Sequence, residues 1–269
     1  MAWDYTVMDL SNWKLTLPVD EDYFASDGGD GNTTDDEGFQ VDGDDVEGFE
    51  ADEIFFYDED DEAMVFQADV AGATTGSSSY SRSELREVND DGSNAAWTID
   101  EGANLSASLK VTSVATRDDG AAGEVIVGQI HGQDDELARL YYNSDGELYF
   151  SNEQTGTDGE ERTFYFENAD GEQPDVSLDE DFSYNINVAD DELNIQIYAD
   201  GETYSAVATD GVDPTEITDA WADDTFYFKA GVFNGVSDVA GKQEEGSGVA
   251  AASFYDIDLT GDGSDWFMA

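Results

Sequence analysis

The 269-residue chain has no cysteine, three prolines, one histidine and only nine lysine and arginine residues. Without cysteine it cannot form disulfide bridges or thiolate metal sites. No apolar run is long enough to span a membrane. The basic residues are too few to form a patch that neutralises nucleic-acid phosphates. We therefore expect neither a membrane nor a nucleic acid as a partner.

Acidic residues, by contrast, number 66 and give a formal net charge of −57, distributed along the whole chain. This charge suits either cationic partners or metal ions, or a solvated acidic surface in strong salt, and the second interpretation is favoured. At about 1 M salt the Debye length is about 3 Å, so neighbouring carboxylates barely repel one another. The acidic runs 27–30, 42–45 and 58–61 lack the spacing of an EF-hand loop. We predict no metal and no cofactor.

Short stretches of alternating apolar and polar residues, separated by Gly, Asp, Asn and Ser clusters, indicate an all-β protein. Strands are predicted at 13–17, 64–70, 79–88, 105–111, 124–131, 137–142, 147–151, 162–166, 183–188, 193–198, 226–233 and 251–259. Segment 20–53 is predicted as a long loop with room for one short helix, and 214–222 as a brief helix. No linker or repeat divides the chain. Residues 1–269 are therefore predicted to form one domain, a sandwich of two antiparallel sheets and most simply a jelly roll.

Three of the predicted strands carry rare basic residues or the histidine on one face, because side chains at i and i+2 point the same way. The sets that share a face are Arg82, Glu84 and Arg86; Val125, Val127, Gln129 and His131; and Tyr227, Lys229, Gly231 and Phe233. Glu84 is expected to orient the guanidinium groups of Arg82 and Arg86. Spacing alone leaves two interpretations open, structural ion pairing on a wet sheet face and binding of an anionic ligand.

The same three strands contain blocks that resemble the signature blocks of the family 7 polysaccharide lyases, the alginate lyases. The blocks are Arg-Ser-Glu-Leu-Arg at 82–86, Gln-Ile-His at 129–131 and Tyr-Phe-Lys-Ala-Gly-Val at 227–232. Segments 12–18 and 140–143 resemble the opening strand and the strand after the second block. The resemblance implies a jelly roll whose concave sheet forms the substrate groove. It also implies β-elimination on alginate, an anionic uronate polysaccharide.

The resemblance also implies roles for individual residues. Arg82 and Gln129 would neutralise the uronate carboxylate while His131 removes the proton from C5. The resemblance assigns contacts with substrate to Glu84, Arg86, Lys229, Tyr227, Asn234 and Tyr141. A core or rim role for Tyr141 is an open alternative.

The chain departs from the family pattern at the catalytic position Phe233, where the family has a tyrosine that protonates the leaving group. Phenylalanine has no hydroxyl and cannot donate. The glutamine that the family has two residues later is Gly235 here. An engineered Tyr→Phe change and a natural loss both explain Phe233, and we expect the chain to be an impaired lyase.

We expect a monomeric, endo-acting alginate lyase of a high-salt environment. Ile130 resembles family members that accept guluronate-containing blocks, and segments 20–53 and 235–248 are candidate lids. A polymeric substrate implies an extracellular enzyme, although 1–5 shows no signal-peptide pattern. The alternative function, which Phe233 favours, is a non-catalytic sandwich that binds uronate polysaccharides.

The acidic surface predicts that stability depends on salt. We expect the melting temperature to rise from dilute buffer to multimolar NaCl or KCl, because salt screens the repulsion among carboxylates. Thermal unfolding followed by circular dichroism measures this, and a melting temperature that does not change with salt contradicts it.

Overall fold

The computed structural model describes residues 8–24, 37–76, 78–155 and 160–259. Within these ranges nearly all regular structure is β-strand. The strands are β1 (Trp13–Thr16), β2 (Gln40–Val41), β3 (Phe55–Asp58), β4 (Ala63–Asp69), β5 (Arg82–Glu87), β6 (Ala103–Ser113), β7 (Thr116–Arg117), β8 (Glu124–His131), β9 (Glu136–Asn143), β10 (Leu148–Thr155), β11 (Glu160–Glu167), β12 (Asp181–Ala189), β13 (Glu192–Ala199), β14 (Glu202–Ala206), β15 (Tyr227–Asn234), β16 (Gly246–Ser247) and β17 (Val249–Asp258). Three short 3₁₀ turns lie at Glu21–Phe24, Gly43–Asp45 and Asp219–Trp221.

The strands form two stacked antiparallel sheets. The first, called here the site sheet, has the strand order β2-β1-β5-β15-β8-β9-β10-β11, and the second has the order β14-β13-β12-β6-β17-β4-β3. A two-residue pairing between β11 and β14 joins the sheets at one edge, while β7 and β16 pair separately. The prediction of an all-β sandwich of two antiparallel sheets is confirmed.

The core fills the space between the sheets with large side chains from alternate positions of both. Trp13 and Phe228 contribute from the site sheet, and Phe66 and Phe254 from the second sheet, each at most 1% exposed. Burying a side chain of this size stabilises the fold by about 1.5–3 kcal/mol. Because the inner face of each strand is used in this way, the other face of the site sheet is free for polar residues.

A bulge in β8 changes the faces that simple alternation predicts. The pairing register with β9 shifts between Ile126 and Gly128, so Val127 and Gly128 both face the core. Tyr184 of β12 donates its hydroxyl to the Val127 carbonyl at 2.9 Å, and a Cβ at Gly128 would lie only 2.8 Å from that hydroxyl. The glycine therefore permits the close approach of Tyr184.

The predicted grouping of Val125 and Val127 with Gln129 and His131 on one face is therefore wrong. Both valines belong to the hydrophobic core. Strict alternation from them would turn Gln129 and His131 inward, and the extra residue in the bulge turns these two side chains outward. Alternation alone does not reveal where an extra residue interrupts it.

All twelve predicted strands are present, with ends displaced by at most four residues. The short strands β2, β3, β7, β14 and β16 were not predicted. The predicted loop 20–53 contains two 3₁₀ turns and β2 in its described part, and 25–36 lies outside the described residues. The predicted helix at 214–222 is a single 3₁₀ turn. None of the described helices has the length and apolar character needed to cross a membrane.

Candidate active site

Five of the nine basic residues lie on the outer face of the site sheet, called here the site face. Residues directly opposite one another on paired strands share a face. A continuous row of such partners crosses five strands and consists of Lys14, Arg86, Lys229, Gln129 and Arg139. The fifth basic residue, Arg82, is the partner of Phe233 on β15.

A buried carboxylate holds three of the site's donors together. Glu84, 3% exposed, lies with Oε2 at 2.5 Å from Lys229 Nζ and at 3.5 Å from Arg82 Nη1. Its Oε1 accepts a hydrogen bond from Gln129 Nε2. Burial lowers the pKa of both Arg82 and Lys229, and the Glu84 carboxylate opposes that shift. The Glu84 carboxylate of β5 thus links side chains of β15 and β8.

Two predictions about Glu84 need correction. It was expected to orient Arg82 and Arg86, but its second cation is Lys229. It was also expected to contact substrate, whereas its carboxylate is enclosed by the donors that it orients. Glu84 is therefore a positioning residue.

His131 lies one row further along the site face, next to Tyr227. Its Nδ1 is 2.7 Å from the Gly132 carbonyl oxygen, which can only accept, so Nδ1 carries the hydrogen. Its Nε2 is 3.2 Å from Glu136 Oε1. Burial is the main cause that lowers the pKa of His131, and Lys229 adds to it. Because Nδ1 carries the hydrogen, Nε2 is the ring nitrogen that can take up a proton.

The Tyr227 ring separates His131 from Arg86. It stacks on the imidazole with centroids 5.1 Å apart and planes 10° apart. The Arg86 guanidinium lies 3.9 Å from the centroid of the same ring. Arg86 Nε has no hydrogen-bond partner among the described residues. Such a donor suits a carboxylate ligand.

Phe233, where the sequence resemblance predicts a tyrosine, is half-buried on the site face. The Arg82 guanidinium lies 4.2 Å from the ring centroid. The Tyr80 ring lies 5.9 Å away, centroid to centroid. Two residues on, a Cβ at Gly235 would clash with Glu124 Cγ and lie 2.9 Å from the Glu124 carbonyl oxygen. A side chain at this position would therefore require Glu124 to move.

The far half of the site face, on β9 to β11, is acidic and aromatic. Arg139 Nη2 is 2.9 Å from both Glu153 Oε1 and Glu161 Oε1, so its charge is neutralised. Tyr141 stacks on Tyr149 with ring centroids 5.0 Å apart. Burial raises the pKa of the Tyr141 phenol. Tyr141 lies on the site face, on the strand β9 that pairs with β8.

Asn234 does not belong to the site, contrary to the prediction. Its side chain is fully buried, and its Nδ2 donates to the Ala68 carbonyl at 3.0 Å and to Ser81 Oγ at 2.9 Å. The next residue after Phe233 must point inward because side chains alternate across a strand. The structure brings together the other predicted residues, which are Arg82, Glu84, Arg86, Gln129, His131, Tyr141, Tyr227, Lys229 and Phe233.

Sequence reasoning missed four residues of the site face, namely Lys14, Tyr80, Glu136 and Arg139. Signals for three of them were present. Lys14 and Arg139 are rare basic residues within predicted strands, and Tyr80 lies two residues before Arg82. Glu136 had no signal, since one acid among 66 carries no information. Within the described ranges no group of three or more His, Asp or Glu side chains is placed to hold a metal ion.

Comparison with known proteins agrees with this geometry. The sequence model of the alginate lyase family matches residues 8–261. The chain belongs to this family, polysaccharide lyase family 7. An alginate lyase of Klebsiella pneumoniae is 28% identical over 292 residues, which cover 94% of this chain and 89% of that protein.

Solved structures of family members share the fold. The alginate lyase from Klebsiella pneumoniae superposes with a TM-score of 0.70 at 26% identity, covering 93% of this chain and 95% of the other. The family 7 alginate lyase A1-II′, a tyrosine-to-phenylalanine variant in complex with product (GGG), superposes with a TM-score of 0.68. Its identity is 25%, with 97% of this chain and 99% of the other covered. The jelly roll is thus confirmed.

The buried position of Asn234 leads to a prediction about stability. Asn234→Ala should lower the free energy of unfolding by about 1–3 kcal/mol, because the Ala68 carbonyl loses its buried donor. It should leave KM for alginate unchanged. Asn89→Ala, in an exposed turn, is the control and should lose less. A raised KM at unchanged stability would restore Asn234 to the site.

The lowered pKa of His131 leads to a prediction about the pH dependence of activity. We expect kcat/KM to fall on acidification with a midpoint below about 6.5, the unperturbed value for histidine. Glu136→Gln should move the midpoint lower still, because a neighbouring carboxylate favours the imidazolium. Glu161→Gln, which removes a carboxylate beside Arg139, is the control. A midpoint above that of free histidine would refute the assignment.

Proposed function

We propose that this chain is an alginate lyase that cleaves the (1→4) linkage between uronates by β-elimination. The observation that carries the proposal is the convergence of Arg82, Gln129 and His131 on one sheet face, in a chain that belongs to the alginate lyase family. The relatives named above are alginate lyases, and one of them holds a product.

The chemistry requires donors at the uronate carboxylate. Removing the weakly acidic C5 proton places negative charge on that carboxylate, and preorganised donors stabilise the charge as it develops. Gln129 gives one of its two amide hydrogens to Glu84 and keeps the other for a ligand. Arg82 keeps an Nε–H that has no acceptor among the described residues. Both donors are held by Glu84 before substrate arrives.

The base in this proposal is His131 Nε2. Because Nδ1 donates to the Gly132 carbonyl, Nε2 bears the lone pair that takes the C5 proton. The resulting imidazolium is stabilised by the Glu136 carboxylate at 3.2 Å. In this proposal Arg86 and Lys229 hold carboxylates of neighbouring uronates, and their position in the same row as Gln129 supports this role.

Leaving-group protonation is the weak step of this chain. The departing O4 needs a proton, and Phe233 has none to give. The proposed enzyme is therefore slow compared with a form that has tyrosine at this position. Whether Phe233 is engineered or natural does not change this chemistry.

We extend the proposal to internal cleavage and to guluronate-containing blocks. The second extension rests on the resemblance of the Gln-Ile-His block. Ile130 itself is fully buried, so it would act on block preference only through the positions of Gln129 and His131.

A non-catalytic, uronate-binding sandwich is the second candidate, and Phe233 favours it. The relative A1-II′ holds its product as a tyrosine-to-phenylalanine variant, so binding in this family is compatible with the loss of one phenolic hydroxyl. Binding of alginate without formation of unsaturated product would select this candidate.

We also propose that the protein works outside the cell, in strong salt and as a monomer. A polymeric substrate supports the location, and the net charge of −57 supports the salt. A surface of this charge repels a polyanion at long range, and high salt screens that repulsion while close Arg–carboxylate contacts are less affected.

Phe233→Tyr tests the proposal. General acid catalysis typically contributes about 10²–10⁴-fold, so the variant should raise kcat on alginate, by at most about this factor. The measurement is the ultraviolet absorbance of the C4–C5 double bond, in strong salt. Phe228→Tyr, on the core face of the same strand, is the control and should give no gain. No increase for Phe233→Tyr would contradict the placement of the proton donor.

A further inference from the structure

Tyr80 is a phenol that lies outside the three sequence blocks, and its ring is in contact with Phe233. It is two residues before Arg82, in the bend that precedes β5. Its ring centroid is 5.9 Å from that of Phe233, with 40° between the planes. This separation brings the two aromatic rings into contact.

The Phe233 ring is in contact with both Tyr80 and Arg82. The Phe233 ring has the Arg82 guanidinium at 4.2 Å, the Lys229 ammonium at 5.9 Å and the Tyr80 ring centroid at 5.9 Å from its own centroid. Arg82 is the cation proposed to neutralise the uronate carboxylate. The hydroxyl-bearing ring and this cation therefore contact the same side chain, at the position where the leaving oxygen needs a donor.

The hydroxyl of Tyr80 is polar, half-exposed and kept protonated. It donates to Glu244 Oε2 at 2.9 Å. Burial and the Glu244 and Glu124 carboxylates raise the pKa of Tyr80 to about 12, against a smaller opposing effect of Arg117. The Lys242 ammonium lies 5.5 Å from the ring centroid. A phenol in this state is a proton donor, not a base.

We propose that Tyr80 protonates the leaving O4 in this chain and so takes over the task of the missing Tyr hydroxyl. This inference rests on the proposed function. The alternative phenols fit less well. Tyr141 is separated from Phe233 by β8, and Tyr227 is enclosed between His131 and Arg86.

The proposed step is balanced. His131 Nε2 takes the proton from C5, and the electron pair of that bond forms the C4–C5 double bond. The C4–O4 bond breaks, and O4 takes the proton from the Tyr80 hydroxyl, which leaves Glu244 to make this contact. Tyr80 is left as a phenolate and His131 as an imidazolium. Net transfer of one proton through solvent restores both.

The test compares Tyr80→Phe with the unaltered chain. The substitution keeps the ring and removes only the hydroxyl. We expect kcat on alginate to fall by about 10²–10⁴-fold, with KM little changed. Tyr255→Phe is the matched control, because the Tyr255 hydroxyl also donates to a carboxylate, Asp181 Oδ1 at 2.8 Å, but on the second sheet. It should leave kcat and KM unchanged.

Two further variants separate proton donation from a structural role. Glu244→Ala breaks the same hydrogen bond but keeps the phenol, so it should retain most of the activity that Tyr80→Phe loses. The double variant Tyr80→Phe/Phe233→Tyr should regain activity, because the new phenol supplies the proton. Melting temperatures of all variants in strong salt identify any loss that comes from unfolding.

Each outcome decides between the proposals. Loss in Tyr80→Phe with recovery in the double variant supports Tyr80 as the donor. An unchanged rate in Tyr80→Phe, or equal losses in Tyr80→Phe and Glu244→Ala, overturns it. Product from Phe233→Tyr but none from the unaltered chain overturns it while the proposed function stands. If neither makes product, the proposed function fails and this inference fails with it.

Discussion

The site depends on one buried carboxylate. Glu84 is almost inaccessible to solvent and is shared by Lys229, Arg82 and Gln129. Without Glu84, the cations Arg82 and Lys229 would lie buried without a carboxylate partner. An unpaired buried charge is strongly destabilising. The same contacts leave the remaining N–H groups of Arg82 and Gln129 free for a ligand. Stability and preorganisation of the donors therefore have a common cause.

Basic residues are concentrated on the site face and are unevenly distributed over it. A chain with 66 acids and nine basic residues places five of the latter on one sheet face. On the β1–β5–β15 half, Lys14 and Arg86 face outward beside the Glu84 cluster. On the other half, two glutamates neutralise Arg139. A polyanion is therefore attracted chiefly to the first half, and in strong salt this contact is felt at short range while the acidic surface is screened.

Alternation predicted most of this arrangement. It placed Arg82, Lys229 and His131 outward because these strands have one buried and one solvated face. It did not predict the β8 bulge, since an extra residue has no signature in the apolar pattern, and so it misplaced Val127. The error at Asn234 has the opposite origin: a block resemblance was followed where alternation already pointed the side chain inward. Partners of Glu84 could not be chosen from sequence, because cross-strand neighbours depend on the strand order of the sheet.

The retained ring at Phe233 separates packing from chemistry. A guanidinium over an aromatic face is stabilised by the ring quadrupole, and this attraction needs the ring but not the hydroxyl. The Arg82 guanidinium lies 4.2 Å from the centroid of the Phe233 ring, which has no hydroxyl. Loss of the ring would disturb the carboxylate-binding cation, whereas loss of the hydroxyl removes only one proton from the site. A neighbouring phenol on the same face can replace that proton without any change in the strands, because proton transfer requires an O–H within reach and not a particular position in the sequence.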